Sequence, residues 1–281
     1  MDTGHLELAD LPQLTAAFER GPFFDYSVGL GRVRDQKLTS LGSGVLVKKG
    51  GRCGILTARH CLHACTPKVS LGPSGCDELY LVLRRGDPVR AQPLEVVERG
   101  LATPQSEEFG PDLTFIEVLA VQRRASLEAI GSFCSLDGPL GEIEKDFGGV
   151  GTPTVSVGFP EDHNTQRAEG GTVRLRVAAM LLGPSVIESG DTSENAGWDY
   201  IESHFSDPVS GRSPASLKGF SGGPVWGLKL RKHKTDGHIS IERHALIGIN
   251  FYEIGGQNEE RRMRAHFIKS IYEVACKNLV C

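Results

Sequence analysis

The chain has 281 residues, of which 23% are charged, and a net charge of −4. That balance argues against a polybasic surface for nucleic acid or an anionic membrane, and the longest apolar run, near Val177 to Leu182, is far too short to span a bilayer. The length exceeds one small domain without clearly making two independent ones.

The amino terminus carries Asp2, Glu7 and Asp10 where a secretion signal would have basic residues before an apolar run, so none is read there. Seven cysteines, Cys53, Cys61, Cys65, Cys76, Cys134, Cys276 and Cys281, are an odd number that suits reduced thiols. The expectation is a cytoplasmic protein with no nucleic-acid or membrane partner.

In chain order, Leu8 to Arg20 has a weak helical pattern in Leu11, Leu14, Ala17 and Phe18, and residues 1–22 are read as an N-terminal extension. Residues 23–125 then read as β. Strands are expected at Tyr26 to Val33, Leu38 to Val47, Cys53 to Ala58, Leu79 to Leu83, Leu94 to Val97 and from Asp112, with a hairpin turn at Lys49 to Arg52. About six short strands with glycine-rich turns make one small barrel. Residues 126–152 are read as a linker, after a short helix at Ala120 to Ile130; the run Gly148 to Gly151 lacks the spacing of a dinucleotide loop and reads as flexible.

A second β set, residues 153–265, opens at Thr154 to Pro160 and continues through Val173 to Val177, whose alternation turns two arginines outward. Polar loops are expected at Glu161 to Gly171 and at Glu188 to Lys218, the second holding Trp198, Tyr200 and His204. Strands follow at Val225 to Leu230, His238 to Ile241 and Ala245 to Phe251, with a turn at Lys234 to Gly237. Residues 266–281 read as an amphipathic C-terminal helix with Ile268, Ile271, Ala275 and Leu279 as its stripe.

The chemistry centres on Lys218-Gly219-Phe220-Ser221-Gly222-Gly223-Pro224-Val225. A serine between glycines can sit in a tight turn with its hydroxyl outward and main-chain N–H groups free to meet an oxyanion. It needs a base, and the base needs a carboxylate. His60 ends the run Ile55-Leu56-Thr57-Ala58-Arg59-His60-Cys61, and Asp112 heads Asp112-Leu113-Thr114-Phe115-Ile116. Read on their own, His60 also suits a strand-end histidine and Asp112 a strand cap, and Asp87, Asp146, Glu107 and Glu108 compete as the carboxylate. Cys61-Leu62-His63-Ala64-Cys65 is half of a zinc site without a second half, so no metal or cofactor is expected.

These segments, with Gly42-Ser43-Gly44-Val45-Leu46-Val47 and in the order His, Asp, Ser, resemble the chymotrypsin/trypsin family of serine peptidases, including its bacterial intracellular and HtrA-like branches. The resemblance runs from about residue 25 to 275. It implies an all-β chymotrypsin-like double barrel: two six-stranded antiparallel β-barrels with an N-terminal extension and a C-terminal helix. It further implies Ser221 as nucleophile, His60 as general base, Asp112 as its orienting carboxylate, and the N–H groups of Gly219 and Ser221 as oxyanion hole. By the same resemblance Ala215, or a neighbour such as Ser213 or Ser216, lies at the base of the substrate pocket, and Asn250, Phe251, Tyr252 and Glu253 are substrate-binding, the 246–253 strand pairing with a peptide. Cys61, which relatives bridge to an earlier strand, has no partner near Gly42 and is expected to be a free thiol.

Phe220 stands where secreted relatives have an aspartate, so activation by a released N-terminal amine is not expected. The expectation is a trypsin-like serine endopeptidase acting on a restricted protein or peptide substrate, a stress or defence effector by resemblance, with an activating partner protein as one route to control. The alternatives are a catalytically silent protease-like binding module and an esterase using the same triad.

Overall fold

Three apolar runs dictate the first half of the fold, because each is buried on both faces. In Val45-Leu46-Val47, Ile55-Leu56 and Phe115-Ile116 every side chain is fully buried. Alternate residues enter different cores: Val45, Val47, Leu56 and Phe115 join one apolar cluster, and Leu46, Ile55 and Ile116 another. A strand packed on both sides has no polar face to alternate, so it reads as a continuous apolar run.

The structure, a computed structural model, describes residues 11–34, 37–65, 79–83, 89–90, 96–101, 106, 108–160, 165–169, 172–176, 179–204, 217–233, 237–255 and 261–280. The first sheet holds β1 (Ser27–Arg34), β2 (Lys37–Lys49), β3 (Arg52–Thr57), β4 (Leu79–Val82), β5 (Val89–Arg90), β6 (Val96–Gly100) and β7 (Thr114–Val118). Its antiparallel order is β5-β4-β1-β2-β3-β7-β6. A two-residue strand, β8 (Cys134–Ser135), pairs in parallel with Val47 and Lys48 of β2, beyond the point where β1 leaves it at Val45.

The second sheet is built from β9 (Pro153–Gly158), β12 (Met180–Val186), β13 (Thr192–Asn195), β14 (Trp198–His204), β15 (Pro224–Lys232), β16 (Ile239–Ile254) and β17 (Arg262–His266), in the order β12-β9-β15-β16-β17-β14-β13. β10 (Thr165–Glu169) and β11 (Thr172–Arg176) form a separate hairpin. Both large sheets are antiparallel paths with two ends, and neither closes on itself among the described residues.

Helices cover the joints. α1 (Leu11–Arg20) buries Leu14, Ala17 and Phe18, three of the four residues of its expected stripe. α2 (Phe23–Tyr26) is a single turn where β structure was expected to begin, and it packs Phe23 and Tyr26 against Trp226 of β15. α3 (Arg59–Cys65) follows β3 directly. Residues 126–152 are more ordered than the linker reading supposes. α4 (Val121–Ile130) is followed by β8 and by α5 (Leu140–Phe147), whose Asp146 binds Lys229 and Arg243 and whose Phe147 is buried. The C-terminal helix begins later than expected: His266 belongs to β17, and a π-helical segment (Ser270–Ala275) runs into α6 (Cys276–Val280).

The polar stretch Glu188 to Lys218 is not all loop either. Its first half is the β13–β14 hairpin, with Tyr200 and Ile201 buried, and its second half lies outside the described residues, as do much of the Glu161–Gly171 loop and the turn at 234–236. No helix among the described residues is long and apolar enough to cross a membrane.

Candidate functional site

The end of β3 places His60. Pairing with β7 carries the chain to Thr57, and α3 starts two residues on, so the His60 main-chain N–H sits in the unpaired first turn of a helix. Asp112, just ahead of β7, fills that vacancy: its Oδ1 accepts the His60 N–H at 2.9 Å, while its Oδ2 bonds the His60 ring at Nδ1. Two bonds to one residue hold the carboxylate in place and anchor the imidazole at Nδ1. Asp112 is buried, whereas the His60 side chain is 46% exposed.

The other candidate carboxylates are elsewhere. Asp146 is engaged at α5, Glu108 is exposed and 3.6 Å from Arg264, and Asp87 and Glu107 lie outside the described residues.

The serine turn is set by backbone. Gly219 and Gly222 have φ of 95° and 80°, a region that favours glycine. A Cβ on Gly222 would collide with the Ser43 carbonyl and the Thr57 hydroxyl, and one on Gly219 with the Phe159 carbonyl. Beneath the turn, Gly222 N–H donates to Asn250 O at 2.6 Å and Asn250 N–H donates to Gly223 O at 3.0 Å.

Ser43 of β2 ties this turn to the first sheet. Its N–H donates to Ser221 O at 2.7 Å, its hydroxyl donates to Gly219 O and accepts Phe159 N–H, and its carbonyl accepts the Thr57 hydroxyl at 2.6 Å. The N–H groups of Gly219 and Ser221 make no hydrogen bond among the described residues, which leaves both for a ligand oxygen.

Ser221 thus lies against the His60 segment, with Cys61 between them. The Cys61 sulfur is 3.3 Å from Ser221 O and 3.6 Å from His60 Nε2, and the side chain is buried and in no disulfide. The Ser221 hydroxyl has no hydrogen-bond partner among the described residues, so Nε2 faces sulfur rather than hydroxyl here. Burial, the largest single influence on His60, works to lower its pKa; the bonds to Asp112 and Cys61 outweigh it and raise the pKa to about 10. At neutral pH the ring is therefore an imidazolium paired with a carboxylate.

The expected substrate residues divide. Asn250 is fully buried, with N–H and C=O both taken by the serine turn and its amide nitrogen bonded to Ser156, so it supports the turn instead of facing a ligand. Phe251 is also buried: the β16–β17 register breaks beside it, and its ring stacks on His266. Tyr252 and Glu253 are partly exposed, and Glu253 faces Arg261 at 3.5 Å, which offsets its charge. Ala215 lies outside the described residues.

Sequence reading missed four side chains that join the sheets here: Ser43, Tyr200, Arg264 and His266. The signal for the last three was polar or charged residues at alternate positions of apolar-flanked strands, Tyr200-Ile201-Glu202 and Arg262-Met263-Arg264-Ala265-His266. Among the described residues no group of histidine, cysteine and carboxylate side chains could hold a metal ion. The side chains of His63 and Cys65 fall outside them. No family model matches the chain, and no curated protein matches it.

Proposed function

We propose that the chain is a serine peptidase of the chymotrypsin-like kind, its two sheets corresponding to the two barrels of that fold and its site to their seam. The observation that supports this reading most is the double bond of Asp112 to the main chain and ring of His60, set against a serine turn whose Gly219 and Ser221 N–H groups are unengaged.

In this reading the Ser221 oxygen attacks an acyl carbonyl and its proton passes to His60 Nε2. The carbonyl oxygen becomes an oxyanion against the Gly219 and Ser221 N–H groups. The C–N bond then breaks, His60 gives its proton to the leaving amine, and water repeats the sequence on the acyl-enzyme. His60 acts as base only after losing the proton it holds at neutral pH, and its Nε2 must turn from Cys61 toward the serine. Catalytic hydrogen bonds of this kind tighten in the complex with substrate. The substrate is a protein or peptide, bound along the exposed part of the 250–253 segment. Among the described residues Cys53, Cys61, Cys134 and Cys276 are in no disulfide, which supports work in a reducing compartment.

A second reading, a silent protease-like binding module, draws on the contact of His60 Nε2 with Cys61 in place of Ser221. A fluorophosphonate probe separates the two. A peptidase is labelled at one site and loses that labelling in Ser221→Ala; a silent module is not labelled even with substrate proteins present. Hydrolysis of peptides against simple esters then distinguishes peptidase from esterase, and general digestion of casein would count against a restricted target.

A further inference from the structure

Three side chains of the second sheet reach across the seam to the segment that carries Asp112. Tyr200 donates its hydroxyl to Phe109 O at 2.7 Å, Arg264 donates to Glu108 O at 2.8 Å with its guanidinium 4.6 Å from the Phe109 ring, and His266 Nε2 accepts the Asp112 N–H at 3.0 Å. Their common direction follows from strand geometry. Arg264 and His266 are two apart on β17, and Tyr200 of β14 is paired directly with His266, so all three project from one face.

His266 differs from the other two in what it lacks. It is fully buried, and the unshared pair of Nε2 is committed to an N–H donor, so the ring is neutral with its proton on Nδ1. That Nδ1 has no hydrogen-bond partner among the described residues. Packing alone does not call for a histidine, since the ring lies flat on Phe251 at 4.6 Å between Trp198 and Tyr200, an environment of aromatic rings. The one thing histidine adds is an acceptor under the Asp112 N–H, obtained at the cost of an unpaired buried donor.

We propose that His266 is a positioning residue for the His60–Asp112 pair: by holding the Asp112 main chain, it aims the carboxylate at the His60 ring and N–H together. The proposal rests on the peptidase reading for its effect on rate, but not for its geometry. Two measurements keep these apart. In protein carrying ¹⁵N-histidine, the His266 ring is expected as the neutral, Nδ1-protonated tautomer; an Nε2-protonated ring cannot accept from Asp112 and would overturn the proposal.

In His266→Phe, which keeps the stack and removes the acceptor, the low-field proton of the His60–Asp112 bond is expected to weaken or vanish and phosphonate labelling to slow about 100-fold, the loss that follows a misplacement of about 1 Å. His266→Gln, which returns an acceptor oxygen, is expected to recover much of both. An unchanged low-field proton in a folded His266→Phe protein would sink the idea. Wild-type protein that shows the tautomer and the low-field proton but takes up no label would overturn the peptidase reading and leave the positioning role standing.

Discussion

The two halves of the seam are held together by opposite means. On the first sheet, Asp112 and His60 are fixed through side chains: two bonds between them, and below them the ring of His266. On the second, the serine turn is fixed almost wholly by main chain, through Gly222 to Asn250, Asn250 to Gly223, Gly223 to Phe220 and Ser43 to Ser221, with the Ser43 hydroxyl as the main side-chain tie. One half depends on charge and proton position, the other on backbone space. Changes of charge should therefore disable the first and spare the second, and added volume should do the reverse.

The largest effects test whether the halves act together. Ser221→Ala is expected to abolish phosphonate labelling with an unfolding midpoint close to the parent, and Asp112→Asn to slow labelling by on the order of 10⁴ while also lowering the midpoint at neutral pH, because it removes the partner that raises the His60 pKa. Gly222→Ala is next. The φ of 80° alone costs about 1–2 kcal/mol for a residue with a Cβ, and the collision with Ser43 O and Thr57 displaces the turn. Labelling should disappear while the low-field His60 proton remains; loss of that proton as well would mean that the halves are not separable. Ser43→Ala removes the hydroxyl's two bonds, to Gly219 O and from Phe159 N–H, and should lower stability in urea by about 1–3 kcal/mol.

Proton linkage sharpens the contrast further. With its pKa raised to about 10, His60 is charged at pH 7, so labelling should climb as pH rises from 7 toward 10. Cys61 is one of the groups that raise it, and Cys61→Ala should move that climb to lower pH. The same shift makes the stabilising contribution of His60 complete below about pH 6.5 and lost as pH rises through 10.

His266 runs the other way. Burial lowers its pKa to about 4, so the unfolded chain takes up a proton below 6.5 that the folded one refuses. Stability falls by about 3 kcal/mol between pH 6.5 and 4 on this account, and that part of the acid loss should be missing in His266→Phe.

How much of this could be read from the residues alone follows the same division. The backbone half was legible: a serine among glycines before Pro224 announces a tight turn, and the structure gives Gly219 and Gly222 the conformations that turn demands. The strands buried on both faces were legible as apolar runs. The side-chain half was legible only in His60 and Asp112, because the side chains that hold their segment come from 91 to 156 positions away in the chain or look ordinary locally. Tyr200 and Trp198 read as loop because their neighbours are polar; pairing of Tyr200 with β17, which no local pattern encodes, and of Trp198 with β13 makes a strand of them. His266 read as the first residue of a helix, since the stripe Ile268, Ile271, Ala275 begins so close to it. Asn250 read as a substrate contact because it lies on the right strand, and only the register with Gly222 and Gly223 turns it inward. β8 and α5 were hidden in what composition made a linker.

The most direct test is the pH dependence of phosphonate inactivation, with the adduct located by mass spectrometry in the parent and in His60→Ala. One adduct, on Ser221, forming faster as pH rises in the parent and slowed by orders of magnitude in the variant, is the outcome expected if His60 and Ser221 work as one site across the seam. An adduct on Ser221 that forms equally well without the imidazole, or none at any pH from 7 to 10, would contradict it.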